Sequence, residues 1–214
     1  MMDSPGTDPA RLAATEARRK QILEAAAQVF AQKGFHRATI REIARVAGIA
    51  EGTIYNYFRN KEDLLTAMVN WLARVDEFTQ QAAELADTAS PAEFLDFVLH
   101  NRFALLEQSR TPLQALLPQA LTNPELGRHF YQTLTLPALE IFEQVWQQHV
   151  EHGRIRPLDA ALLVRLFFAM FIGIALLTML GDPVVLGDRE TIIRQIAEVA
   201  LHGILPSSGE ADNG

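Results

Sequence analysis

Residues 25–65 read AAAQVFAQKGFHRATIREIARVAGIAEGTIYNYFRNKEDLL, a run with repeated signals of helix entry and exit. Thr39-Ile40-Arg41-Glu42 has the pattern of a capping box, in which the threonine oxygen accepts the amide of residue 42 and the glutamate reaches back. It opens a short helix that buries Ile40, Ile43, Ala44 and Ala47 and stops at Gly48. Gly48–Glu51 turns the chain into a second short helix, Gly52–Phe58. Two short helices around a glycine-containing turn are the layout of a helix-turn-helix. Upstream, residues 15–33 place Ile22, Leu23, Ala26, Val29 and Phe30 on one face and end at Gly34, so a supporting helix precedes the pair. Packing Ile40, Ile43, Ala44, Ile49, Ile54 and Phe58 against that face leaves Thr53, Tyr55, Asn56 and Tyr57 outside. Hydroxyls, an amide and aromatics on so short a helix can reach base edges and phosphates in a major groove. Lys61 lies one turn further on, in place for a phosphate. The competing reading makes Tyr55 and Tyr57 packing aromatics of an ordinary helical hairpin.

Charge separates these readings. The 214 residues carry a formal net charge of −7, which taken whole speaks against nucleic acid. Residues 15–61, however, hold nine basic and four acidic side chains, +5, while residues 62–214 hold nine basic and twenty acidic ones, −11. Such polarisation marks a nucleic-acid-binding end joined to a body with another task. Zero cysteine excludes disulfides, thiolate zinc sites, iron–sulfur clusters and cysteine nucleophiles. There is no glycine-rich phosphate loop, no G-x-S-x-G and no H-E-x-x-H. His149 and His152, with Glu140 and Glu143 upstream, could present a metal face, but a solvated helix end is the reading taken. No catalytic residue, metal or cofactor is therefore expected. The start, MMDSPGTDPARLAA, lacks the apolar segment of a signal peptide, so a cytoplasmic protein is expected.

Helix signals recur to the end of the chain and no alternating strand appears. Asn60 caps a longer helix, Ser90-Pro91-Ala92-Glu93 is a second capping box, and Pro112, Asn123-Pro124, Pro137 and Pro157 each open a helix. Asp188 caps a last one that runs to about Ile204. The spacing predicts one all-α chain of about nine helices. Residues 1–14 and 206–214 read as disordered tails, 15–61 as the DNA-binding domain and 62–205 as a second helical domain. Ala160–Leu180 is apolar except for Arg165, and its unbroken part, Leu166–Leu180, falls short of the ~20 residues of a membrane span. It reads as a helix buried on all sides.

The run quoted above closely resembles the DNA-binding domain of the tetracycline-repressor (TetR) family of bacterial transcriptional regulators. The elements that match are Gly34, Phe35 and Thr39, the helix Ile43–Gly48, the G-T-x-Y-x-Y-F helix Gly52–Phe58, and Lys61–Leu64. The resemblance covers about 50 residues with one spacing throughout. It implies that Thr39 touches a phosphate, that Gly52, Thr53, Tyr55 and Tyr57 sit on the groove face, and that Lys61 binds phosphate. It also implies that Arg18, Arg19 and Lys20 lie near the DNA backbone or minor groove. Two positions depart: Ala50 stands where serine or proline is frequent, and Glu51 stands where some members touch bases.

The family's fold implies that helices five to seven enclose a ligand cavity and that the last two helices pair with their copies. Phe94, Phe97, Phe103, Phe130, Tyr131, Phe142 and Trp146 supply aromatics for an apolar pocket, with His100, Asn101 and Arg102 as its polar readers. Ala169 and Gly173, four apart, and Leu176 let another helix approach, and Ile192, Ile196, Val199 and Gly203 form an apolar stripe. Pairing them gives a two-fold, four-helix interface. The expectation is a ligand-responsive transcriptional regulator, a repressor and not an enzyme. It binds a palindromic double-stranded DNA operator as a homodimer and is released by a small, largely hydrophobic effector, with no membrane partner. The alternative is a helical small-molecule-binding protein or enzyme whose first sixty residues are structural.

Overall fold

The computed structural model describes residues 9–75 and 78–204, and every regular element in them is helical. In chain order these are α1 (Pro9–Lys33), α2 (Ile40–Ala47), α3 (Glu51–Tyr55), α4 (Lys61–Val75), α5 (Phe78–Leu85) and α6 (Pro91–Gln108). They continue with α7 (Arg110–Thr122), α8 (Pro124–Phe130), a π-turn (Tyr131–Thr135), α9 (Leu136–Glu151), α10 (Ala160–Leu180) and α11 (Arg189–Ile204). The expected all-α chain is present. Its segments come to eleven among the described residues because a π-helical turn separates α8 from α9 in sequence, and a single residue, Ser109, separates α6 from α7.

Several helix ends follow their local chemistry. Asn60 Oδ1 accepts the Asp63 amide at 2.8 Å, Ser90 and Glu93 exchange their capping bonds, and Asp188 Oδ2 accepts the Thr191 amide at 3.1 Å. Two limits differ from expectation. The first helix begins at Pro9, inside the stretch read as a tail, because a proline at the first position followed by Ala-Arg-Leu-Ala-Ala favours helix. Residues 1–8 and 206–214, the remainder of the expected tails, lie outside the described residues. The recognition helix ends at Tyr55 rather than Phe58, because the amides of Asn56 and Tyr57 bond three residues back, to Thr53 and Ile54, and tighten the turn.

The packing divides the chain differently from a cut at Lys61. One compact unit runs up to Arg74 and adds Ser109–Tyr131; the other holds Val75–Gln108 and the chain from Gln132. In the first, α1 packs on α2 and on α7, and α7 on α8. Leu113, Ala115 and Leu116 of α7 are buried there, which is why this later segment belongs with the N-terminal head. Gly127 makes the α7–α8 approach possible, since a Cβ at that position would lie 2.4 Å from the Ala120 carbonyl oxygen.

In the second unit α5 packs on α6 and α9, α6 on α11, and α9 on α10. A run of edge-on rings links its core: Phe94 to Phe142 at 5.4 Å, Phe142 to Trp146 at 5.2 Å, and Trp146 to Phe167 at 5.6 Å. The expectation that the apolar helix is buried on all sides does not hold within one chain. Only Ala160, Val164 and Ala175 of α10 are buried, and Leu162, Leu166, Met170, Leu176 and Leu180 stand exposed. With the exposed Gly173 between Met170 and Leu176 they recur at three- and four-residue steps, so one face packs inward and the opposite face carries an apolar stripe. Among the described residues α10 is the one helix long and apolar enough to cross a membrane.

Candidate nucleic-acid interface

The geometry of the head begins with two glycines in left-handed conformation, Gly34 (φ 77°) and Gly48 (φ 67°), which stop α1 and α2. Thr39 caps α2 as expected: its hydroxyl oxygen accepts the Glu42 amide at 3.2 Å, and Glu42 Oε2 accepts the Thr39 amide at 3.1 Å. Lys33 pairs with the same carboxylate. That lysine, then the Thr39 hydroxyl, holds the Glu42 carboxyl below the usual range. Ile43, Ala44, Ala47, Ile54 and Phe58 are buried with Ile22, Val29 and Phe30, so the helix pair is anchored on α1.

What remains outside is the surface expected to read DNA. Tyr55 is 53% exposed. Gly52 and Asn56 are exposed, while Thr53 and Tyr57 are half-buried. A Cβ on Gly52 would meet nothing within 4 Å, so the chain itself imposes no bar on a side chain there. Ala50, ahead of α3, makes no side-chain cap.

The expected phosphate cations divide into two groups. Lys20 is exposed and lies 3.8 Å from Glu24, and Arg18 donates to the Gln21 side chain. Lys61 and Arg19 are turned inward. Lys61 Nζ donates to the carbonyls of Phe35 (2.8 Å), Ala38 (2.8 Å) and His36 (3.3 Å). Arg19 donates to the Tyr57 carbonyl at 3.4 Å and lies over the Phe58 ring. Both expected phosphate roles therefore meet side chains already engaged by backbone. Arg41 and Arg45, two of the nine basic residues of 15–61, are exposed four residues apart on α2 with no ion pair or side-chain hydrogen bond among the described residues. Their one signal was that i, i+4 spacing on the face opposite Ile43 and Ala44.

The second unit holds the candidate ligand site, an apolar cavity of about 50 Å³ lined by Phe78, Leu99, Phe142, Phe167 and Phe171, with Arg102 at its wall. Of the seven aromatics expected to line it only Phe142 does, and Phe97, Phe103, Phe130, Tyr131, Trp146, His100 and Asn101 do not. Phe97 stacks on Phe78 from behind at 5.7 Å, Phe103 is buried with its edge toward Phe171, and Trp146 is wholly buried beyond Phe142. Phe130 and Tyr131 belong to the first unit. His100 turns to α11, where Nε2 meets Glu190 Oε2 at 3.0 Å, and Asn101 donates to Gln81 of α5. The Glu190 carboxylate, then the Asp96 carbonyl, raises the His100 pKa. These residues fail as a set because helical spacing fixes a face only when the neighbouring helices are known. Of the polar residues read with them, Arg102 alone reaches the cavity, its guanidinium 4.2 Å above the Phe78 ring.

The expected dimer residues are distributed along the outer surface of the second unit. Ala169, Gly173 and Leu176 are exposed on α10 and Val199 on α11, whereas Ile192 and Ile196 are half-buried against the core. The surroundings of Gly203 lie outside the described residues. Among the described residues no group of His, Asp and Glu has the geometry of a metal site, His149, His152, Glu140 and Glu143 included.

A helix-turn-helix head in one helical unit, joined to a second helical unit with an apolar cavity, defines a DNA-binding regulator. Residues 22–68 match the bacterial regulatory proteins of the tetR family. The fatty acid metabolism regulator protein of Bacillus subtilis is 30% identical over 151 residues, 69% of this chain and 76% of that protein. The HTH-type transcriptional repressor KstR2 of Mycobacterium tuberculosis is 30% identical over 154 residues, 69% of this chain and 74% of its own length. Among solved structures, the transcriptional regulator FadR from Bacillus subtilis in complex with stearoyl-CoA gives a TM-score of 0.73 at 26% identity, covering 86% of this chain and 98% of that one. The chain belongs to the tetR family of bacterial transcriptional regulators.

Proposed function

We propose that this regulator is a repressor that grips a palindromic operator as a homodimer and lets go when a largely hydrophobic effector binds its second unit. The observation that carries the dimer is the stripe on α10, where Leu162 is 59%, Leu176 55% and Leu180 73% exposed. Contiguous apolar surface of this kind marks an interaction site. Covering it with the same stripe of a second copy gives an isologous contact, and two-fold symmetry sets two reading heads over an inverted repeat. A DNA-binding role requires the cytoplasm.

The effector reading rests on the cavity and on one relative. At about 50 Å³ the cavity is far below the roughly 300–1,000 Å³ of an occupied ligand pocket, so a ligand enters only by displacing the phenylalanines that fill it. A state opened by ligand and a closed state then compete, and differential affinity moves the population between them. The Bacillus subtilis FadR that resembles this chain is in complex with stearoyl-CoA, and an acyl chain is the class of effector that these aromatic and aliphatic walls favour. The test is an electrophoretic shift of DNA from upstream of the chain's own reading frame, with and without stearoyl-CoA. Loss of the shifted band on adding stearoyl-CoA supports the reading. A band indifferent to stearoyl-CoA and to free long-chain acids removes the effector class, and no band at low salt removes the repressor.

A further inference from the structure

We propose that Lys61 and Arg19 are positioning residues of the DNA-reading head and not phosphate contacts. This rests on the DNA-binding reading above. An ammonium has three donors and no acceptor. The Lys61 ammonium donates to three carbonyls in the loop between α1 and α2, and its Nζ also lies 4.7 Å from the Phe35 ring centroid. The same loop ends at Thr39, the residue that caps α2. A phosphate could take Lys61 only by breaking bonds to these carbonyls, two of them part-buried, and an exposed ion pair returns little in exchange.

Arg19 works at the opposite end of the motif. Its guanidinium meets the Tyr57 carbonyl, just beyond α3, and packs on Phe58. Cations belong at such an end, where carbonyls without an intrahelical partner collect negative potential. Between the two, Gln21 donates to the Ala47 carbonyl at 2.6 Å, at the last residue of α2. So α4 fixes the entry to α2, and α1 fixes the exits of α2 and α3. Three long side chains hold the helices that read DNA by their backbones, and leave phosphate binding to cations such as Arg41 and Arg45. Fixing the reading helix before encounter lowers the ordering cost of binding.

Binding of a fluorescent duplex, selected from random sequence by the unaltered full-length protein, is measured against salt concentration for Lys61→Met and Lys61→Gln. Temperatures well below each variant's thermal midpoint keep every sample folded. Methionine removes charge and donors; glutamine removes the charge and keeps two donors. Positioning predicts that Lys61→Met lowers affinity about tenfold at every salt concentration with an unchanged slope, and that Lys61→Gln recovers most of it. A phosphate contact instead lowers the slope by about 0.9 for each lysine, about 1.8 for the proposed dimer, in both variants, with glutamine no better than methionine, and that result overturns the proposal. Unchanged affinity in both folded variants overturns it as well. Arg19→Gln and Arg19→Met give the same comparison should Lys61→Met fail to fold. An unaltered protein that selects no duplex defeats the DNA-binding reading itself, whereas a slope change in variants of a binding protein defeats only the positioning roles.

Discussion

Ala50 leaves the first amides of α3 without a side-chain partner, while Thr39 supplies one to α2. Ala50→Ser should therefore raise the unfolding free energy by about 0.5–1 kcal/mol, and Thr39→Ala should lower it by about 1 kcal/mol, both read from urea midpoints at constant slope. A lower midpoint for Ala50→Ser would mean that α3 needs its extended, uncapped entry. Gly127 is tied to space instead of capping. Adding one methyl there forces the α7–α8 contact apart, and Gly127→Ala should cost about 1–3 kcal/mol in the same measurement. The caps were legible in the sequence because a capping box is complete within four residues. The partners of Lys61 were not, since its carbonyls lie 23 to 26 residues upstream and offer no side-chain signature.

At the scale of the element, α9 carries a group at odds with its surroundings. His149 is 1% exposed, and neither ring nitrogen has a hydrogen-bond partner in the protein. Burial, followed by the neighbouring Arg154 and then His152, pushes its pKa below the ordinary 6.5. The folded state thus binds fewer protons than the unfolded one. Stability is full above about pH 6.5 and is lost as pH falls from there through the folded-state value. His100 has the opposite sign: its raised pKa gives stability that is full below about pH 6.5 and is lost as pH rises through the folded value. Comparing the protein with His149→Leu cancels the His100 contribution. The difference in unfolding free energy between the two should grow in favour of leucine from about pH 7.5 to about pH 5.5. A constant difference would show that His149 is hydrated. Helix existence and type were legible throughout α6 to α11, because proline, cap and glycine signals are local. Which faces meet was not: His100 and Asn101 share an apolar helix with cavity residues yet turn to α11 and α5.

For the whole molecule, two readings of one stretch came out differently. The sequence marks Ala160–Leu180 as too broken for a membrane and apolar enough for a core, and the structure leaves half of it uncovered. Periodicity cannot distinguish a surface covered by the same chain from one covered by another. Leu176→Glu sets a charge in that stripe, so it should halve the sedimenting mass and abolish tight operator binding while the helical content stays unchanged. A variant that remains dimeric would move the interface off α10. The polarised charge acts over the same distance, since the acidic residues beyond position 61 are repelled by DNA and the basic head is drawn to it.

The uncovered stripe on α10 also has a consequence for dosage. In the proposed dimer that surface is completed by a second copy, which makes the number of chains in a cell an input of its own. Below the dissociation constant of the pair, the amount of active regulator grows with the square of the amount synthesised. Halving expression then leaves a quarter of it, so a promoter under this protein opens at a threshold of protein supply even before any small molecule arrives.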